Sequence, residues 1–311
     1  MIFSCDKMTL LNGLNIAAKA LPSKSVNPIT EGILFKADGN EVILTTTDSS
    51  LTIQTKIAAD VKEEGQVVLT GKFFFEIIRK MPEGMIEIKG NHREGVSVTG
   101  NYSKMNISAL DPEEYPALPV IDKEKFFTLP QNSLREMINQ TMFATAVDES
   151  RPILTGCLFE IENESINVVA LDGYRLALRK ENVVGPAEPI SAVVGGRVLG
   201  DIAKILADTE ENVSLCFTRS HVRMNIGQTR VVARLLEGEF IRYRQILPEE
   251  WQTRVTVERA ELGSAIDRAS LIAREGKSNL VCFKLDGETL EVSSNSETGD
   301  MEEKMQVITE G

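Results

Sequence analysis

Apolar residues recur at helical spacing in GKFFFEIIRKMP, which begins at Gly71, so that Phe74, Phe75, Ile78 and Met81 share one face. GGRVLGDIAKIL, from Gly195, places Val198, Leu199, Ile202 and Ile205 in the same way. TLLNGLNIAAKALP from Thr9 and SLREMINQTMFATA from Ser133 predict a second amphipathic pair, and AELGSAIDRASLIA, residues 260–273, repeats their pattern. Between these helices the period changes to two. EVILTTT, MIEIKG and VSVTG alternate apolar and polar side chains as half-buried strands do, and SNLVCFKLDGETLEV predicts two strands around an Asp-Gly turn.

These elements recur at one separation. RPILTGCLFE, residues 151–160, is a near-double of NPITEGILFK, residues 27–36, and Phe35, Phe159 and Phe283 are spaced by 124. Leu10 and Leu134, Asp48 and Asp172, and Gly71 and Gly195 keep the same 124. A repeat this long is a whole domain rather than one turn of a solenoid, and 311 residues exceed what one core usually holds. The predicted domains are 1–120, 128–248 and 255–311. Connectors at 117–130 and 246–258 each open near a Leu-Pro that halts the preceding strand. The third copy stops before any equivalent of the Gly71 helix, so its C-terminal half is expected to be missing. Each full copy combines two helices with many short strands, which predicts an α+β fold with helices packed on antiparallel sheets.

Charge then alters the picture. A net charge of −12 opposes nucleic-acid binding if it is spread evenly, because duplex DNA is itself a dense polyanion. It is not spread evenly. The helical segments with their following loops (6–24, 71–82, 133–151, 195–208 and 258–277) carry 14 Lys and Arg against 11 Asp and Glu, a net of +3. Equivalent helices in a repeated fold face one way and would form one basic surface, suited to a polyanion that is enclosed there and repelled elsewhere. Contacts of that kind go to phosphates and ignore sequence. The basic segments do not interleave Trp or Tyr with Arg, which disfavours a single-strand stacking platform and favours duplex.

Other chemistry finds little support. The cysteines, Cys5, Cys157, Cys216 and Cys282, form no CxxC pair and read as buried reduced thiols, and His92 and His221 are lone histidines in polar stretches. Gly276-Lys277-Ser278 matches the tail of a phosphate loop, but Leu271 stands where the pattern needs glycine. The glycines of GGRVLG, 195–200, miss the dinucleotide spacing and read as a helix start. Asp48 and Asp172 recur as turn or capping residues. No catalytic residue, metal or cofactor is expected. No apolar run reaches the roughly 20 residues of a membrane span, and MIFSCDKMTLL does not read as a signal peptide, so a cytoplasmic protein is expected.

With the repeat, the basic helices and LDGYRLALR at 171–179, the chain resembles the bacterial DNA polymerase III β subunit, the sliding clamp family, over its whole length. Asp172-Gly173-Tyr174-Arg175-Leu176 looks like the family's D-G-H/Y-R-L motif, supported by LLEGEFIRYRQILP at 235–248 and GKFFFEIIRKMPEG at 71–84. The resemblance implies a non-enzymatic processivity factor whose three-domain chains join head to tail as a two-subunit ring around duplex DNA. It implies DNA-facing side chains at Lys24, Lys72, Arg79, Arg151, Arg197 and Lys204. It implies a subunit contact that pairs Met105 and Ile107 with Leu271 and Ile272. It also implies a hydrophobic peptide pocket for the polymerase α subunit, the clamp loader and repair proteins, at Leu154, Leu171, Gly173, Tyr174, Arg175, Leu176, Ile241 and Ile246. The family commonly has proline at the place of Ile241 and arginine at that of Gln245, so the pocket rim departs from its pattern. Two alternatives stay open at this point: a peptide-docking scaffold that does not encircle DNA, and an enzyme that uses the Gly195 turn for a nucleotide phosphate.

Overall fold

The structure, a computed structural model, describes every residue except Val120, Asp122, Lys123, Glu124, Glu149, Ala187 and Ser278. Four residues of the 117–130 connector and the serine of Gly276-Lys277-Ser278 therefore lie outside the described residues. The chain divides into two compact units, Met1–Phe240 and Ile241–Gly311.

The first unit contains the repeat twice. Its first copy runs β1 (Ile2–Asp6), α1 (Lys7–Ala17), β2 (Gly32–Asp38), β3 (Glu41–Thr47), β4 (Leu51–Ala58), β5 (Asp60–Glu63), β6 (Gly65–Thr70), α2 (Gly71–Lys80), β7 (Met85–Asn91), β8 (Gly95–Gly100) and β9 (Ser103–Ile107). The second runs β10 (Phe127–Pro130), α3 (Gln131–Thr141), β11 (Gly156–Glu162), β12 (Ser165–Leu171), β13 (Leu176–Asn182), β14 (Ile190–Gly195), α4 (Gly196–Ala203), β15 (Asn212–Phe217), β16 (His221–Ile226) and β17 (Thr229–Leu236). Sheet pairing is antiparallel throughout. One sheet has the order β5-β1-β7-β8-β9, and a larger one joins β13-β12-β11-β14-β17-β4-β3-β2-β6, with β10, β15 and β16 attached through β17.

Each helix forms where the pattern placed it, for local reasons. Asp6 caps α1, its carboxylate accepting from the Met8 and Thr9 amides at 2.8 and 3.4 Å. The buried face of α2 is Phe74, Ile77 and Ile78; Phe74 meets Phe35 of β2 edge-on, ring centroids 5.1 Å apart. In α4 that face is Leu199, Ile202 and Ala203. These two sets are offset by 125, not 124. Strand pairing marks the slip: Gly32 faces Thr70 in the first copy, and Gly156 faces Gly195 in the second. One extra residue between β12 and β14 moves the helix along, so the partner of Gly71 is Gly196, which corrects the expected Gly195. The same crowding recurs at both positions. A Cβ on Gly71 would sit 3.0 Å from the Glu31 carbonyl oxygen, and one on Gly196 2.9 Å from that of Thr155, whereas Gly195 has open space.

The copies are fused through their sheets. β4 pairs with β17, Leu51 facing Ala233, Ile53 facing Val231 and Thr55 facing Thr229. The hydroxyls of Thr55 and Thr229 share a 2.9 Å hydrogen bond across this junction. Ala20, Leu51 and Ile53, all from the first copy, are buried in the core of the second.

The second unit holds β18 (Arg254–Thr256), α5 (Arg259–Glu275), β19 (Cys282–Asp286), β20 (Thr289–Ser296), β21 (Gly299–Gln306) and β22 (Ile308–Glu310). β19 and β20 turn through Gly287 at φ 59, the Asp-Gly hairpin read from the pattern. α5 lies on β20 and β21 through Ala265, Ala269 and Ala273, small residues that permit close approach to Val292 and Met305. Bidentate Arg268–Glu303 contacts at 2.8 and 2.6 Å tie the helix to β21. One cysteine expectation fails here. Cys5, Cys157 and Cys216 are buried, but Cys282 is exposed, because β19 is the edge of a three-stranded sheet and Cys282, Phe283 and Lys284 all reach solvent. Phe283, counterpart of the fully buried Phe35 and Phe159, is 51% exposed.

Candidate nucleic-acid and peptide interfaces

The burial of Phe74, Ile77 and Ile78 turns the opposite side of α2 outward, and Lys72 and Arg79, seven residues apart, project from that side. α4 does the same with Arg197, and Lys204 follows as its C-cap. At the 125 offset Lys72 corresponds to Arg197 and Arg79 to Lys204, so two helices display the same pair of cations. Lys24 and Arg151 are exposed in the loops between the first helix and the next strand of each copy. All six expected DNA-facing side chains thus reach solvent, yet most carry a local partner. Arg79 contacts Glu76 at 2.6 Å and Lys204 contacts Asp201 at 3.1 Å, both one helical turn apart. Arg197 lies 3.5 Å from Asp48, and Lys72 donates to the Ser23 carbonyl at 3.4 Å.

A cleft of about 1190 Å³ runs beside α4 in the first unit, walled by Val147, Pro152, Val198 and Leu236 and edged by Ser50, Arg197, Lys204 and Arg234. Arg234 was not among the expected residues. Its amide donates to the Ser50 carbonyl at 2.8 Å, and its guanidinium contacts Glu237 at 3.2 Å. Strand alternation in TRVVARLL already places Arg230 and Arg234 outward while Val231 and Ala233 go inward. They lie outside the helical segments that carry the other cations.

The motif at 172–176 is a tight turn organised by Asp172. Its carboxylate accepts from the amides of Tyr174 and Arg175 at 3.0 and 3.1 Å and from Arg175 Nε at 3.0 Å. The two amide donors, then Arg175, hold this carboxyl below the ordinary carboxylate range. Asp48 builds the same turn in the first copy, accepting from the Ser50 and Leu51 amides at 3.0 and 2.8 Å. Gly173 and Ser49 occupy the same left-handed position, φ 93 and 76. The turn leaves Tyr174 wholly exposed, and Arg175 lies over the Phe143 ring at 5.6 Å. Leu154 and Leu171 are buried and Leu176 is half-buried. Ile241 and Ile246 belong to the second unit, where Ile246 is 59% exposed.

Two further surfaces carry expected contacts. β9, at the edge of its sheet, exposes Met105 and leaves Ile107 half-buried. On α5, Leu271 is 65% exposed and Ile272 half-buried. Among the described residues no group of three His, Cys, Asp or Glu side chains is placed to hold a metal ion, and no helix is long and apolar enough to cross a membrane.

Comparison with known proteins covers all of this architecture. Residues 1–119 match the N-terminal domain, 128–241 the central domain and 244–311 the C-terminal domain of the DNA polymerase III beta subunit. The beta sliding clamps of Staphylococcus epidermidis and Staphylococcus aureus are each 33% identical to it over 314 residues, covering 98% of this chain and 83% of theirs. The DNA polymerase sliding clamp of Bacillus subtilis superposes with a TM-score of 0.96 at 32% identity, covering 100% of this chain and 85% of that one. The beta subunit from the DNA polymerase of Streptococcus pyogenes gives 0.94 at 25% identity with the same coverage.

Proposed function

The chain belongs to the DNA polymerase III beta subunit family, and from that premise we propose how its own residues carry out the work of a DNA sliding clamp. It is a non-catalytic processivity factor: a ring around duplex DNA keeps the replicative polymerase on its template by topology, so its contacts with DNA need not be tight. Loose, sequence-blind phosphate contacts then permit movement along the duplex.

The observation that carries the residue-level reading is the repetition of both a surface and a junction. Equivalent cations stand on α2 and α4, with Lys24 and Arg151 in equivalent loops, and we assign Lys24, Lys72, Arg79, Arg151, Arg197 and Lys204 to the DNA-facing wall. The β4–β17 junction joins one copy to the next, while β9, the counterpart of β17, is left open. β21 is the counterpart of β4 and is also an edge strand. Met105 stands where β17 has the fully buried Val231, and Met301 stands where β4 has the fully buried Ile53. The reading is therefore that β9 of one subunit adds to β21 of another, with Met105 and Ile107 packed towards Leu271 and Ile272. Each apolar side chain of that size contributes about 1.5–3 kcal/mol when buried. Such a contact is heterologous, and it closes a head-to-tail homodimer rather than a filament when its rotation completes a circle.

The corresponding domain bounds are 1–120, 128–248 and 255–311. The peptide-docking role falls to Leu154, Leu171, Gly173, Tyr174, Arg175 and Leu176 of the first unit. Partners there are the polymerase α subunit, the clamp loader and other proteins with a short hydrophobic clamp-binding segment. Work on chromosomal DNA places the protein in the cytoplasm at the nucleoid. The test is retention. Loaded onto circular DNA, the protein stays bound and is lost when the circle is linearised; equal retention on both forms overturns encirclement. Charge reversal at Lys72, Arg79 and Arg197 lowers retention, and an unaffected triple variant favours a scaffold that docks peptides without encircling DNA.

A further inference from the structure

We propose that Glu76 and Asp201 are tethers that keep Arg79 and Lys204 partly neutralised and so set how loosely the two helices hold duplex DNA. The proposal rests on the reading that these cations face DNA. Its own observation is a repeated ion pair. Glu76 and Asp201 stand at the same 125 offset as Arg79 and Lys204, and each carboxylate lies one turn before its cation at 2.6 or 3.1 Å. Each carboxylate pairs with a cation one turn further along the same helix or at its C-cap, Glu76 about half exposed and Asp201 19% exposed beside the cleft. A third carboxylate, Asp48, lies 3.5 Å from Arg197, the cation at the start of the same α4 face. The chemistry of these residues has changed between copies, Glu to Asp and Arg to Lys, while the pairing has not. What the repetition preserves is a cation with a carboxylate beside it.

A cation already paired with a carboxylate neutralises a phosphate less completely, so it displaces fewer of the counterions condensed on the duplex, and its Coulombic pull is partly cancelled at close range. A ring that holds DNA by topology gains nothing from tight contacts, because each one is a step that movement must break. Intramolecular carboxylates supply a competing site for the same guanidinium or ammonium, and the cation exchanges between carboxylate and phosphate as the duplex passes. Asp48 is left out of the test because it also organises its own turn.

The experiment measures binding of the full chain to a short fluorescent duplex by anisotropy across a salt series. Glu76→Gln with Asp201→Asn frees two cations per chain. The salt slope of log K should steepen by at most about 1.8 per chain, so the ratio of variant to parent affinity falls by up to about tenfold between roughly 50 and 200 mM salt. A control, Glu113→Gln with Glu114→Gln on the Pro112–Glu114 turn, makes the same change in net charge outside both helices. If the control matches the pair variant, the effect is net charge alone and the tether is overturned. In an Arg79→Gln, Lys204→Gln background the two carboxylate substitutions should lose their effect; if they keep it, the tether is again overturned. If Arg79→Gln with Lys204→Gln leaves duplex binding unchanged in the parent, these cations do not face DNA, and the failure lies in that reading rather than in the pairing. Thermal unfolding of each variant checks that the helices persist, as the exposure of Glu76 predicts.

Discussion

β17 and β9 occupy the same place in consecutive copies, yet one is interior and the other is an edge. β17 is hydrogen-bonded to β4, β14 and β16 along its length, and Val231, Val232 and Ala233 are buried there. Among the described residues β9 pairs only with β8, and it shows Lys104, Met105 and Asn106 to solvent. The pattern of exchange is informative. Asn106 replaces Val232, as a free edge requires if it is not to recruit arbitrary strands, while Met105 keeps an apolar group in the place of Val231. An edge that carries Lys104 and Asn106 yet stays apolar at Met105 and Ile107, on the face where its counterpart docks, suits one partner rather than any strand.

Deleting side-chain volume at the filled junction breaks the comparison most severely. Ile53 is fully buried in the core of the next copy, so Ile53→Ala should lower the stability of the first unit by about 2–5 kcal/mol, read from urea unfolding by circular dichroism. The open edges should behave in the opposite way. Leu271→Asp with Ile272→Asp leaves the fold intact, because Leu271 is already 65% exposed, but it should yield monomers by light scattering. An unchanged mass rejects α5 as part of the subunit contact. A large loss of stability would mean that the helix end is core to its own unit.

A smaller effect sharpens the register between copies. Gly196→Ala sets a methyl 2.9 Å from the Thr155 carbonyl oxygen and should cost about 1–3 kcal/mol. Gly195→Ala meets open space and should cost far less. If the two costs were exchanged in the same unfolding measurement, the 124 offset would hold through the helix and the slip found here would be wrong.

That slip marks the boundary of what was legible from the chain. Helices and strands were readable because burial imposes periods of 3.6 and 2, and the repeat was readable because Phe35 and Phe159 fill the same core position. The turn role of Asp48 and Asp172 followed from residue type and recurrence, and the structure gives each the expected backbone donors. A single inserted residue was not legible, since GGRVLG offers two adjacent glycines and they are told apart by strand pairing and by the Thr155 carbonyl. Nor was the fusion of two copies through β4 and β17, because the partner of a strand edge is not encoded in its own alternation. Of the site, the helical cations were legible from charge counting. Their carboxylate partners were hidden, since a net count cancels each ion pair it contains, and Arg234 was hidden because it sits on a strand.

The smallest effect concerns the thiols, where the same contrast between filled and open places recurs. Cys157 lies on β11 under the helices of its copy, and Cys5 on β1 is equally enclosed; burial first, with the neighbouring Asp6 adding to it at Cys5, pushes each thiol up to about 12 from an ordinary 9.0. Cys282 lies on the open edge strand β19 and is exposed. A thiol reagent at pH 8 should therefore modify Cys282 rapidly in the folded chain, while Cys5, Cys157 and Cys216 react only on unfolding, the sites being read by mass spectrometry. The raised values also set a pH window. Unfolded thiols ionise near 9.0 while folded Cys5 and Cys157 stay protonated, so the stability they contribute is complete below pH 9 and is lost as pH climbs towards 12. Cys5→Ala with Cys157→Ala should flatten that alkaline decline, and a decline unchanged by the substitution would assign it to other groups.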